Sequence, residues 1–113
     1  MQTLEKRTAD NRLFDIDFTL LLDSTETIAS ITSVTADQGG LTFASQMVNT
    51  ILLTYPSGRQ AQIGKVVRVL IGGGLIPPGQ SSLLCVVRVL VATTLNPAIE
   101  ATVVLKLTDR PVI

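Results

Sequence analysis

Histidine and tryptophan are absent from this 113-residue chain, and cysteine occurs once, as Cys85. Without histidine there is no imidazole for a Ser-His-Asp triad, a Cys₂His₂ zinc site or a switch near neutral pH. One cysteine excludes an internal disulfide, a CxxC redox pair and a thiolate cluster. Aromatic side chains are scarce: Phe14, Phe18, Phe43 and Tyr55 are all there are, too few for a base-stacking platform. Charged residues make up only 16 %, with nine acids against nine bases, so no net field draws the chain to nucleic acid or to an anionic membrane. No apolar run reaches the roughly 18 residues that span a bilayer. The opening stretch, Met1 to Arg12, is polar and charged, unlike a secretory signal.

What the chain does have is aliphatic bulk, 46 % hydrophobic overall. A domain of this length buries about two-thirds of the surface its unfolded chain exposes, enough for a core without metal or disulfide. Residues 1–12 lack apolar periodicity and read as an N-terminal arm. Residues 13–113 read as a single domain. Phe14, Ile16 and Phe18 alternate with Asp15, Asp17 and Thr19, the period of a half-buried strand. Leu20–Leu22 continues it, up to the turn at Asp23-Ser24. Thr25–Thr35 is rich in Thr and Ile, which favours a strand, with spacing that allows a bulge, over a helix. Turns at Asp37–Gly40 and Pro56–Gly58 bracket a short strand, Leu41–Phe43, and a longer one, Met47–Tyr55. Apolar strands follow at Ile63–Ile71, Leu83–Thr94 and Ile99–Thr108, separated by a Gly/Pro-rich loop and by Asn96-Pro97. About seven strands and no amphipathic helix make an all-β antiparallel sandwich or barrel.

Two features go beyond the fold class. Val66–Leu70 recurs as Val86–Leu90, which reads as two neighbouring strands meeting similar demands; were they paired, Arg68 and Arg88 could share a face. These strands are also nearly apolar on both faces, which fits either a thick core with scattered surface Val and Leu or an outer side covered by another chain. The balanced charge hides a division. Residues 1–37 hold seven acids and three bases, a charge of −4, and residues 38–113 hold two acids and six bases, a charge of +4. The division fits ordinary surface scatter, or an acidic end of one copy meeting a basic face, with Lys65, Arg68 and Arg88, of another. Asp15 and Asp17 of the acidic segment, and Lys6 and Arg7 of the arm, are further interface candidates.

Catalytic and ligand motifs fail on inspection. Gly74–Ser81 has P-loop spacing, but Gln80 stands where the phosphate-binding lysine belongs and two prolines remove backbone donors. Asp15 and Asp17 share a strand face with no third ligand at metal spacing. Cys85, amid Leu and Val, reads as a small hydrophobe. No serine has a histidine to activate it. The expectation is therefore no enzyme activity, no cofactor and no metal.

The order of landmarks carries a resemblance. Phe14-Asp15-Ile16-Asp17-Phe18-Thr19 opens the pattern, followed by Glu26-Thr27-Ile28-Ala29-Ser30 and Gly40-Leu41. Val66–Leu70 then runs into Gly72-Gly73-Gly74, a strand ends in Val91-Ala92-Thr93-Thr94, and Glu100–Leu107 closes it. Over residues 12–107 this resembles a family of small immunoglobulin-like virion proteins of tailed bacteriophages. It departs from the family pattern at Thr25-Glu26, at Leu83-Leu84-Cys85 and at Leu95-Asn96-Pro97-Ala98. The resemblance implies an immunoglobulin-like sandwich that acts as a capsid decoration (cement) protein or a related head or tail accessory. Its implied partners are a major capsid protein or tail proteins, with further copies of itself, in a virion assembled in the host bacterial cytoplasm. The arm 1–12 and the tail 108–113 would contact neighbours. The alternative is a tail-associated, receptor- or carbohydrate-binding module.

Overall fold

The structure is a computed structural model that describes residues 3–109. Among the described residues, seven strands form two sheets. Strands β1 (Thr3–Arg7), β9 (Ile99–Thr108), β8 (Ser82–Thr93) and β3 (Ile28–Ala36) lie in that order in one sheet. Strands β2 (Arg12–Asp17), β7 (Val66–Gly73) and β4 (Leu41–Val48) form the other. A two-stranded hairpin of β5 (Leu53–Thr54) and β6 (Gln60–Ala61) stands apart from both. Neighbouring strands pair antiparallel except β1, which runs parallel to β9. The order β2-β7-β4 against β9-β8-β3 is the immunoglobulin arrangement of B-E-D facing G-F-C. The first strand lies beside the last one, not beside β2.

The period-two alternation places the core as expected. Ile16 and Phe18 point inward from the β2 segment and are fully buried, while Asp15 and Asp17 point out. From the opposite sheet Cys85, Val87, Val89 and Val91 of β8 meet Val67, Val69 and Ile71 of β7, with Leu105 and Leu107 beside them. Each such aliphatic side chain contributes about 1.5–3 kcal/mol by leaving water. Cys85 sits among them as a small hydrophobe, and burial pushes its thiol pKa up.

The internal echo has a different cause from the one expected. β7 and β8 do not pair. The Gly74–Ser81 connection carries the chain from one sheet to the other. Both are inner strands, so Val67-Arg68-Val69 and Val87-Arg88-Val89 answer the same demand from opposite layers. Arg68 and Arg88 therefore lie on opposite outer faces of the sandwich. The apolar outer positions are real: Val86, Leu90 and Val104 are half-buried on the outer face of the four-stranded sheet, and Leu84 is exposed there.

The segment expected to be a loose arm contributes a strand instead. β1 alternates buried and exposed positions, placing Leu4 and Lys6 inside. A lysine at an inward position breaks the apolar period. Lys6 is 1 % exposed, and its Nζ donates to the carbonyls of Arg7 (2.6 Å) and Gly73 (2.7 Å), bridging the two sheets. Residues 1–2 of the arm and 110–113 of the tail lie outside the described residues. The bulge allowed in Thr25–Thr35 is present as two register shifts in β3. Leu41–Phe43 and the start of Met47–Tyr55 merge into β4, broken by a register shift between Ala44 and Met47, with Ser45 at φ 51°.

Candidate functional site

At one end of the sandwich four connecting segments come together: residues 18–27, 49–52, 62–65 and 94–98. Buried polar groups tie them. Asn49 is the clamp between two of them. Its Nδ2 donates to the carbonyls of Ile51 (2.9 Å) and Gln62 (2.8 Å), and its Oδ1 accepts from the backbone N–H of Lys65 (3.1 Å) and Val66 (3.0 Å). All four bonds an amide can make here are made. Lys65, 5 % exposed, sends its ammonium into the 23–26 loop, donating to the carbonyls of Asp23 (2.7 Å), Ser24 (3.4 Å) and Glu26. The loop is folded around a cation that the chain itself supplies.

Glu26 ties the same loop to the β8–β9 connection. Its carboxylate accepts from the Thr93 hydroxyl, from Asn96 Nδ2 (2.7 Å) and from the Asp23 N–H (3.1 Å). The bonds from Thr93 and Asn96 hold its pKa below the usual glutamate range. The Thr94 N–H donates to Thr27 O (2.9 Å) and the Ile28 N–H to Gly64 O (2.9 Å). Gly64, at φ +79°, is packed so closely that a Cβ there would lie 2.8 Å from the Thr27 Cβ.

The same four segments carry exposed aliphatic side chains. Leu20, in the 3₁₀ turn Thr19–Leu21, is 98 % exposed. Leu21, Ile51, Leu52, Ile63 and Leu95 are exposed on the same four segments. Leu20–Leu22 and Ile51-Leu52 read as parts of strands in the sequence, so the pattern of residues does not reveal this end. The available signal is that each lies next to turn-forming residues, Asp23-Ser24, Asn49-Thr50 or Asn96-Pro97, where an apolar side chain has no sheet to enter.

Of the candidates named from sequence, Lys65 lies in this platform and the others fall elsewhere. Arg68 donates from Nε (2.7 Å) and Nη2 (3.0 Å) to the two oxygens of Asp15, its cross-strand neighbour. This bond from Arg68 holds the Asp15 carboxyl below the usual range. Tyr55 donates its hydroxyl to Asp15 Oδ2 (3.2 Å), and burial raises that phenol's pKa. Arg59 pairs with Asp17 at 2.8 Å and lies over the Tyr55 ring, 5.3 Å from its centroid. The cluster pins the β5–β6 hairpin onto the outer face of the three-stranded sheet. Arg88 lies 3.9 Å from Glu100 on the opposite outer face. Arg7 is exposed on β1, whereas Lys6 and Lys65 are interior.

The charge division thus closes within one molecule. Asp15 and Asp17 of the acidic segment are met by Arg68 and Arg59 of the basic one, and Lys65 is spent on loop carbonyls. Each of these groups has a partner within the fold, while Arg59 and Arg68 stay partly open to solvent. Two recesses lie at the other end of the sandwich. One, about 730 Å³, is open and lined by mixed charges including Glu5, Arg7, Asp10 and Arg12. The other, about 490 Å³, is apolar and lies between Gly39-Gly40 and Leu75–Pro78. Among the described residues no three His, Cys, Asp or Glu side chains come together as a metal site would need.

No family model matches the chain, and neither a curated protein nor a solved structure matches it. The immunoglobulin-like strand order and the aliphatic loop end are therefore what bear on function.

Proposed function

We propose that this protein is a structural contact subunit that works by burying aliphatic surface against other protein, and that its setting is the virion of a tailed bacteriophage. The observation that carries the contact role is the cluster of exposed Leu and Ile side chains held on a rigid polar platform. Six large aliphatic side chains in the loops of one end are an arrangement that marks protein contacts. The half-buried Val86, Leu90 and Val104 add a second weakly polar surface on the four-stranded sheet. The virion setting rests on the resemblance over residues 12–107, and within it the role is capsid decoration.

The test is cosedimentation of the purified chain with empty shells built from the major shell protein encoded in the same genome. Saturable binding at a fixed number of copies per shell supports the reading. Failure to bind such shells, with binding to tail structures or to immobilised glycans instead, would favour a tail-associated receptor- or carbohydrate-binding module.

A further inference from the structure

We infer that the aliphatic loop end is a homotypic interface, joining two copies of this chain end to end about a two-fold axis. The inference rests on the reading of the chain as a contact subunit and names the partner for one of its surfaces.

Area is the first argument. Leu20, Leu21, Ile51, Leu52, Ile63 and Leu95 range from 44 % to 98 % exposed, which leaves on the order of 500 Å² of aliphatic surface in water. Two such ends pressed together remove at most about 1,000 Å² of it, and the rim adds to that to reach the size of a specific interface. Charge is the second argument. The segments 18–27, 49–52, 62–65 and 94–98 contain three charged residues. Glu26 and Lys65 are buried in the platform, which leaves Asp23 as the exposed charge of these loops. Surfaces this apolar and this poor in charge match the cores of homodimer interfaces, whereas the surfaces of separable partners are about as polar as the rest of a protein.

Rigidity is the third argument. The four bonds of Asn49, the Lys65 ammonium and the Glu26 carboxylate hold the loops in place before any partner arrives. Little loop ordering remains to oppose association. A two-fold axis needs a single self-complementary patch, and each tip then meets its own surface once from either side.

Sedimentation equilibrium on the full chain, from about 1 μM to about 1 mM, tests this without any shell present. The expected result is a reversible dimer of twice the 12.1 kDa chain mass. Leu20→Asp is expected to weaken it about a hundredfold, because a symmetric interface carries each substitution twice. Leu20 is nearly fully exposed, so the variant keeps its fold, checked by an unchanged unfolding midpoint. Ile51→Asp is expected to act in the same direction. Leu84→Asp, on the outer face of the four-stranded sheet, is expected to leave the dimer intact. A chain that stays monomeric across the range, or a dimer indifferent to both loop substitutions, overturns the inference. Shell binding by a monomer would overturn this inference alone, and a loop-dependent dimer that ignores shells would overturn the shell reading alone.

Discussion

Glu26 and Asp15 are carboxylates whose partners favour the charged form, the first through Thr93 and Asn96, the second through Arg68. Both pKa values are lower folded than unfolded. As pH falls, the unfolded chain therefore takes up these protons first, and stability declines. The contribution is fully present above the ordinary carboxyl range near pH 4 and is lost as pH drops through the depressed folded values. Urea unfolding between pH 7 and pH 2 should show this decline, and the pair Glu26→Gln with Asp15→Asn should flatten it while lowering stability at pH 7. Lys6 has the opposite sign. Burial lowers its pKa, against the pull of Asp10. The native chain thus sheds that proton before the unfolded one, and stability gains from Lys6 as pH rises toward the usual lysine range. Lys6→Met should remove that gain.

At the scale of an element, two glycines separate strain from crowding. Gly58 (φ +86°) and Gly64 (φ +79°) both occupy the left-handed region, but a Cβ at Gly58 meets nothing within 4 Å, whereas at Gly64 it strikes Thr27. Gly58→Ala should cost about 1 kcal/mol for backbone strain alone. Gly64→Ala should cost clearly more, because Thr27 sits in a loop already fixed by Thr94 and Lys65. Chemical denaturation of the two variants gives the comparison. Strands are legible in the sequence where one face is wet. Phe14-Asp15-Ile16-Asp17-Phe18 announces its register because water dictates every second residue, and Leu83–Thr94 and Ile99–Thr108 match their strands almost to the residue. β1 is not legible, because Lys6 fills an inward position made tolerable by two carbonyls, Arg7 O and, from the other sheet, Gly73 O. The loop end is hidden for a related reason. Hydropathy alone does not distinguish an aliphatic residue in a strand from one at a loop tip, and the Lys65, Asn49 and Glu26 bonds that decide it span up to 70 residues of sequence.

For the whole molecule, the division of −4 and +4 along the chain suggests, taken alone, salt-sensitive assembly. The ion pairs Asp15–Arg68 and Asp17–Arg59 satisfy much of it internally. The loop end itself is aliphatic, with Asp23 as its exposed charge on each copy. Self-association should therefore persist from low salt to about 1 M NaCl, and sulfate should strengthen it. Sedimentation across that series checks the point, and dissociation at high salt would return the contact to the charged groups.

The parallel seating of β1 against β9 also has a mechanical meaning. Thr3 lies opposite Val104 and Arg7 opposite Thr108, so a pull that drags residue 3 away from residue 109 runs along both strands in opposing directions. Every hydrogen bond of that ladder is then loaded together, in shear. The antiparallel β8–β9 hairpin, drawn open from its free end between Ser82 and Thr108, would yield rung by rung. Single-molecule stretching should record a higher rupture force along the first direction than along the second. A subunit gripped at those two points would resist tension as a lashing does, not as a zipper.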